Sequence, residues 1–171
     1  FEQYLAGQKQ RLSLQNLKNV PVTAVSMLIC ILVAVWTQLG ESNVEPFLIA
    51  DMVFYPRGWS WTLDAEHIIR LFTPVFLHFG ITHLVFNMLA LWYLGNTVER
   101  KIGHASVLVV FLLVALISNV SQLILDGPMF GGFSGVVYGL IGFAWWLQLR
   151  GHALNIPNGI FVFAGIWLLA G

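Results

Sequence analysis

Residues 20–39 contain no Asp, Glu, Lys or Arg, and charge-free runs recur at 79–98, 105–125 and 134–148. About 20 apolar residues are needed to cross the ~30 Å hydrocarbon core of a bilayer. Runs of that length at regular intervals therefore leave few folds open. Only 9% of the 171 residues are charged and 58% are hydrophobic, whereas soluble domains carry about 25% charged residues. A water-facing surface cannot be covered with so little charge, so a soluble globular enzyme is excluded. Eight basic residues balance eight acidic ones, which leaves no positive field to hold nucleic acid. The single cysteine, Cys30, rules out an internal disulfide and a cysteine-built zinc cage, and its apolar neighbours make it a packing residue.

Strands in hydrocarbon need alternation and closure into a barrel, so the spans are expected to be helices. The expected fold class is an all-α polytopic membrane protein, with four complete transmembrane helices and most of a fifth, which starts near residue 156 and meets the end of the chain at Gly171. Residues 1–19 read as a cytoplasmic linker and 20–171 as one membrane domain. A signal peptide does not fit the first span, since 19 residues precede it and no small-residue cleavage site follows. With the N-terminus inside, inner segments hold Lys9, Arg11, Lys18, Arg100, Lys101 and Arg150, and outer segments hold only Arg57 and Arg70. That asymmetry satisfies the positive-inside rule. The outer stretch 40–70 mixes Glu41, Glu45, Asp51, Asp64 and Glu66 with Phe47, Phe54, Tyr55, Trp59 and Trp61. Two readings suit it equally: a segment lying in the membrane interface, or an ordinary aromatic belt.

Polar side chains at membrane depth are costly and mark function by default. His83 and Asn87 lie four apart in the second span, hence on one helix face. His83 is 16 residues outward from Glu99, and Ser134 is 16 residues outward from Arg150, roughly 24 Å in each case. Both groups should lie at one level, a few ångströms below the outer surface. The fourth helix is then too short to finish crossing, and residues 127–133 must dip in as irregular backbone, which is tolerated only beside a cavity. Gly132-Phe133-Ser134-Gly135 sets a hydroxyl at a loop-to-helix junction, where free N–H groups and the helix dipole can hold an oxyanion. That chemistry is acyl transfer. The plainer reading is close helix packing, which the spacing Gly135-x3-Gly139 also suits. No second His, Cys or carboxylate stands at ligand spacing on the spans, so neither a metal nor a cofactor is assigned.

His78-x4-His83-x3-Asn87 on the second span, Gly132-Phe133-Ser134-Gly135 opening the fourth, Arg70, Glu99-x3-Gly103 and Tyr138 together resemble the rhomboid intramembrane serine proteases of the bacterial GlpG type. The resemblance covers about residues 20–171. It implies a six-helix bundle and a Ser–His dyad, with Ser134 as nucleophile. His83 and Asn87, with the backbone N–H groups of Phe133 and Ser134, would form the oxyanion hole. Gly132 and Gly135 frame the nucleophile in the same motif. Tyr138 would pack near the catalytic histidine and His78 would bond within the loop framing the site. Arg70 and Glu99 would be structural ties. The implied partners are the lipid bilayer and transmembrane protein substrates, cut near the outer face. The implied location is a bacterial inner membrane, with the N-terminus cytoplasmic and the site opening outward.

The family's general base is a histidine on the sixth helix, and none of His67, His78, His83, His104 or His152 matches that position. The run Ile166-Trp167-Leu168-Leu169 stops at Gly171 without a closing charge, so the sixth helix and its histidine are expected beyond it. A serine without a base is a poor nucleophile, and as given the chain would be inactive. One alternative is therefore a non-catalytic rhomboid-like binder of membrane helices. A channel or transporter fragment with a dipping loop is a third, disfavoured because the spans offer no acid-lined path.

Overall fold

A computed structural model describes residues 18–56, 58–63, 68–154, 156–157, 159–162 and 164, with residues 54 and 59 described in backbone only. Most of the 1–19 linker, together with Arg57, Asp64, Glu66, His67 and the far part of the fifth span, lies outside the described residues. Four α-helices are bounded: α1 (Pro21–Trp36), α2 (Ile81–Ile102), α3 (His104–Asp126) and α4 (Ser134–Leu149). Residues 159–162 and 164 are also helical, where the fifth span was expected.

Each helix starts and stops for a local reason. Pro21 opens α1 at its first turn, where its missing N–H costs nothing. The next donors, Val22 N–H and Thr23 N–H, are met by the Glu99 carboxylate of α2 at 2.9 and 2.8 Å. A fully buried carboxylate thus caps another helix and carries the charge that suits a helix N-terminus. α2 continues through Glu99, Arg100 and Lys101, beyond the charge-free run. It ends at Gly103, whose φ of +85° lets α3 begin at the next residue.

The core lies where α1, α2, α3 and α4 meet. α2 buries Leu84, Met88, Leu91, Leu94 and Val98, and α4 buries Val136, Val137, Leu140, Ala144 and Leu147. α3 contributes one stripe with a step of four: Val107, Phe111, Ala115, Asn119 and Leu123. Cys30 and Ala34 of α1 join the same cluster. Small residues bring the helices close. A Cβ on Gly95 would stand 2.8 Å from Thr23 Oγ1 of α1, and one on Gly139 would stand 2.7 Å from Val114 Cγ2 of α3. The outward face of α3 carries Leu108, Val109, Leu112, Leu113, Ile117, Ile124 and Leu125, a surface that suits hydrocarbon. Among the described residues α3 is the helix both long and apolar enough to cross a membrane by itself; α1 and α4 are apolar but only 16 residues long.

The purely helical expectation needs one correction. Strands β1 (Asp51–Tyr55) and β2 (Gly58–Thr62) pair antiparallel, from Asp51 opposite Thr62 to Tyr55 opposite Gly58. The sequence Met-Val-Phe-Tyr facing Trp-Ser-Trp-Thr is rich in aromatic and β-branched residues, which favour a pleated surface. The rule that excludes an open sheet applies within hydrocarbon, and this hairpin belongs to the polar connection between α1 and α2.

Candidate active site

Two 3₁₀ turns, Ile68–Leu71 and Thr73–Phe76, lead from the hairpin into α2. Arg70 fixes the first turn to the base of the hairpin. Its Nε donates to Leu48 O at 2.7 Å, Nη1 to Asp51 Oδ1 at 2.8 Å and Nη2 to Glu45 O at 3.3 Å. Thr73 Oγ1 donates to Phe47 O at 3.1 Å. The second turn in turn holds the loop before α4, because Gly132 N–H donates to Pro74 O at 3.0 Å. Residues 127–133 carry no regular structure, yet Phe130, Gly132 and Phe133 are buried.

Ser134 is the first residue of α4. Helix geometry leaves the N–H groups of the first turn, those of Ser134, Gly135 and Val136, without intrahelical acceptors, and the dipole makes this end attractive to negative charge. Gly132 connects the two sides of the site. A Cβ there would fall 2.6 Å from His83 Cε1 and Nε2 and 3.6 Å from Ser134 Oγ. The imidazole of α2 and the hydroxyl of α4 therefore flank one glycine, whose φ is +122°. Asn87, one turn along α2, is buried, and its Nδ2 donates to His83 O at 3.0 Å. An amide nitrogen carries two hydrogens, so that bond uses one of them. Tyr138 stands one turn beyond Ser134 on the same side of α4.

His78 is fully buried and links the two connecting segments. Its Nδ1 lies 3.1 Å from Phe76 O, and Phe133 N–H is directed at its Nε2 over 3.5 Å. A carbonyl on one side and an N–H on the other require a neutral ring with its proton on Nδ1. Burial favours that form: it pushes the His78 pKa down from 6.5 to about 4, with the Phe76 carbonyl pulling the other way. The His78 and His83 rings lie 5.2 Å apart. Of the two backbone donors expected at the oxyanion hole, the Phe133 N–H is thus engaged by His78 in this state.

Of the remaining predicted residues, Gly135 adjoins Ser134 but faces α3, and Glu99 sits apart. Gly135 packs on Ser118 of α3, where a Cβ would overlap the serine hydroxyl. Gly135 and Gly139 therefore form a helix-packing face, and Gly135 also follows the nucleophile candidate. Glu99 is near the C-terminal end of α2, where His104 Nδ1 lies 2.8 Å from its Oε1. A cavity of about 280 Å³ lies between the first connection and Met129, and none of His83, Asn87 and Ser134 lines it. The sequence reading passes over Ser118 and Asn119 of α3. The signal for them was present: Asn119 interrupts an apolar span at a step-of-four position of its buried stripe.

The family model for the rhomboid domain matches residues 65–171. This chain belongs to the rhomboid family. It is 36% identical over 160 residues to the rhomboid protease GlpG of Salmonella newport, and equally to those of Salmonella typhimurium and Salmonella choleraesuis. Each alignment covers 88% of this chain and 53% of the relative, so the chain spans about half the length of the curated relatives it matches. It is a GlpG-type rhomboid, and membership makes it an integral membrane chain.

Proposed function

We propose that this chain carries the nucleophile and the oxyanion-binding half of an intramembrane serine endopeptidase, which cleaves transmembrane segments of other proteins near the outer face of a bacterial inner membrane. The observation that supports this reading best is the convergence of the His83 ring and Ser134 Oγ on Gly132, at the N-terminus of a helix that starts from buried irregular backbone. In this reading α1–α4 and two later helices form the six-helix bundle. The N-terminus is cytoplasmic and the site opens outward.

A client helix unwinds at the outer end of α4 and presents a carbonyl to Ser134. A bond forms between Oγ and the carbonyl carbon while the hydroxyl proton passes to a histidine on a helix after residue 171, the second member of a Ser–His dyad. The tetrahedral oxyanion is held by the His83 ring N–H, the free hydrogen of the Asn87 amide and the first-turn N–H groups of α4. Phe133 N–H joins them if it leaves His78. Collapse breaks the peptide C–N bond, and the histidine returns its proton to the leaving amine. Water from the outer side then hydrolyses the acyl-enzyme. No metal or cofactor takes part.

The test uses the full-length protein in liposomes, a model transmembrane substrate and a fluorophosphonate probe. Ser134→Ala abolishes both cleavage and labelling. Asn87→Ala slows turnover about 10²–10³-fold, the usual loss for one oxyanion donor. Cleavage by Ser134→Ala at the wild-type rate overturns the proposal. Binding of the substrate without cleavage by the wild-type protein favours the alternative, a rhomboid-like binder of membrane helices.

A further inference from the structure

Asn119 is the one polar member of the buried α3 stripe Val107, Phe111, Ala115, Asn119, Leu123, and it is 4% exposed. Its Nδ2 donates to Leu71 O at 2.8 Å. Leu71 closes the first 3₁₀ turn, and the chain continues through Phe72 N–H to Ile69 O at 2.9 Å into the turn Thr73–Phe76. There Pro74 O receives Gly132 N–H at 3.0 Å. Residues 68–76 thus form a strap gripped by α3 at one end and gripping the loop before Ser134 at the other. The neighbouring α3 residue, Ser118, packs directly on Gly135. Two consecutive residues of α3 therefore hold Ser134 from both sides: Ser118 through α4 and Asn119 through the strap.

An amide is needed here for a physical reason. Leu71 O faces a buried, low-dielectric surface on α3, where a carbonyl without a donor is costly. An apolar residue at 119 would leave that oxygen unpartnered, and the strap would move away from α3 to find another donor. Pro74 would move with it, and Gly132 with Pro74.

We propose that Asn119 is a positioning residue, which fixes the Gly132–Ser134 loop against His83 by pinning the 68–76 strap to α3. The proposal rests on the reading of Ser134 as nucleophile. Asn119 touches neither client nor reacting atoms, so its loss changes the chemical step and leaves client binding alone. A misplacement of about 1 Å at a reacting group costs up to about 10²-fold.

Asn119→Leu, which keeps the branching at Cγ but removes the amide, is compared with wild type in the full-length protein. Three results are expected: kcat and the rate of fluorophosphonate labelling fall 10- to 100-fold, KM stays within twofold, and hydrogen exchange speeds up in the peptide spanning 127–133. A purely structural role would shift the unfolding transition without splitting kcat from KM. Labelling within twofold of wild type, with unchanged exchange, overturns the proposal. If Asn119→Leu does not fold, Asn119→Ser decides by the same assays. It is smaller and cannot reach Leu71, so wild-type labelling overturns the proposal there too. If wild-type protein shows no labelling at Ser134, the functional reading has failed, and the exchange measurement alone decides whether Asn119 holds the loop.

Discussion

The most informative single perturbation is Gly132→Ala. The added Cβ would stand 2.6 Å from Cε1 and Nε2 of His83, whereas carbon-to-heavy-atom contacts settle near 3.5–4.0 Å. The ring or the loop must therefore shift by about 1 Å. Two costs follow. The backbone at φ +122° strains an alanine by about 1–3 kcal/mol, and relieving the clash adds about 1–3 kcal/mol of overpacking. With His83 as the proposed oxyanion donor the catalytic loss is larger in proportion, because a displacement of about 1 Å lowers turnover by up to about 10²-fold. The assays are fluorophosphonate labelling of Ser134 and equilibrium unfolding in detergent, on Gly132→Ala alone and in a His83→Ala background. Removing the imidazole removes the clash, so in that background only the backbone strain should remain. A coupling of about 1–3 kcal/mol between the two changes is expected. Equal destabilisation in both backgrounds, or labelling of Gly132→Ala within threefold of wild type, would refute the placement of His83 over Gly132.

Two further outcomes follow from the buried polar groups. Glu99→Gln keeps one acceptor for the α1 N-terminus but turns an amide NH₂ toward the second donor; with charge-assisted hydrogen bonds worth about 1.5–3 kcal/mol each, unfolding in detergent should be easier by about 3 kcal/mol, and a loss under 0.5 kcal/mol would show that Glu99 is not the cap. His78 makes stability pH-dependent: its pKa is about 4 when folded and 6.5 when free, so the unfolded state binds the extra proton. Stability is full above pH 6.5, falls by up to about 3 kcal/mol as pH drops toward 4, and is flat below. Unfolding curves across that window should flatten in His78→Gln, and an unchanged slope would remove His78 as the titrating group.

The parts of this molecule that could be read from sequence are those set by local rules. Charge-free length is enough to locate α1, α3 and α4, and the rise per residue is enough to expect His83 and Ser134 at one level. Partnerships between distant segments were not readable from composition and spacing. By position Glu99 reads as the charge that closes a membrane span, and only the family resemblance makes it a structural tie; its partner is the start of α1, 76 residues away in sequence at Thr23. The helix can therefore continue past it. The hairpin at 51–62 was obscured because its aromatics suit an interfacial segment as well as a strand, and pairing depends on two strands meeting. Asn119 is passed over as a polar residue in an apolar span, because its partner is Leu71, 48 residues earlier.

In the proposed reading α4 begins below the outer surface of the bilayer, and the hydrogen bonds around it suit that depth. Away from bulk water, each backbone donor on the approach to the helix costs free energy if left unmet. Here the approach to the helix is met one group at a time: Gly132 N–H by Pro74, Phe133 N–H by His78, and the strap that carries Pro74 by Asn119. The donors that helix geometry leaves over begin at Ser134. The same pairing that makes irregular backbone tolerable therefore concentrates unmet N–H groups at the nucleophile candidate. Loosening any of these three ties should let the loop find other partners and weaken the site, even though none of the residues that make them would touch a client.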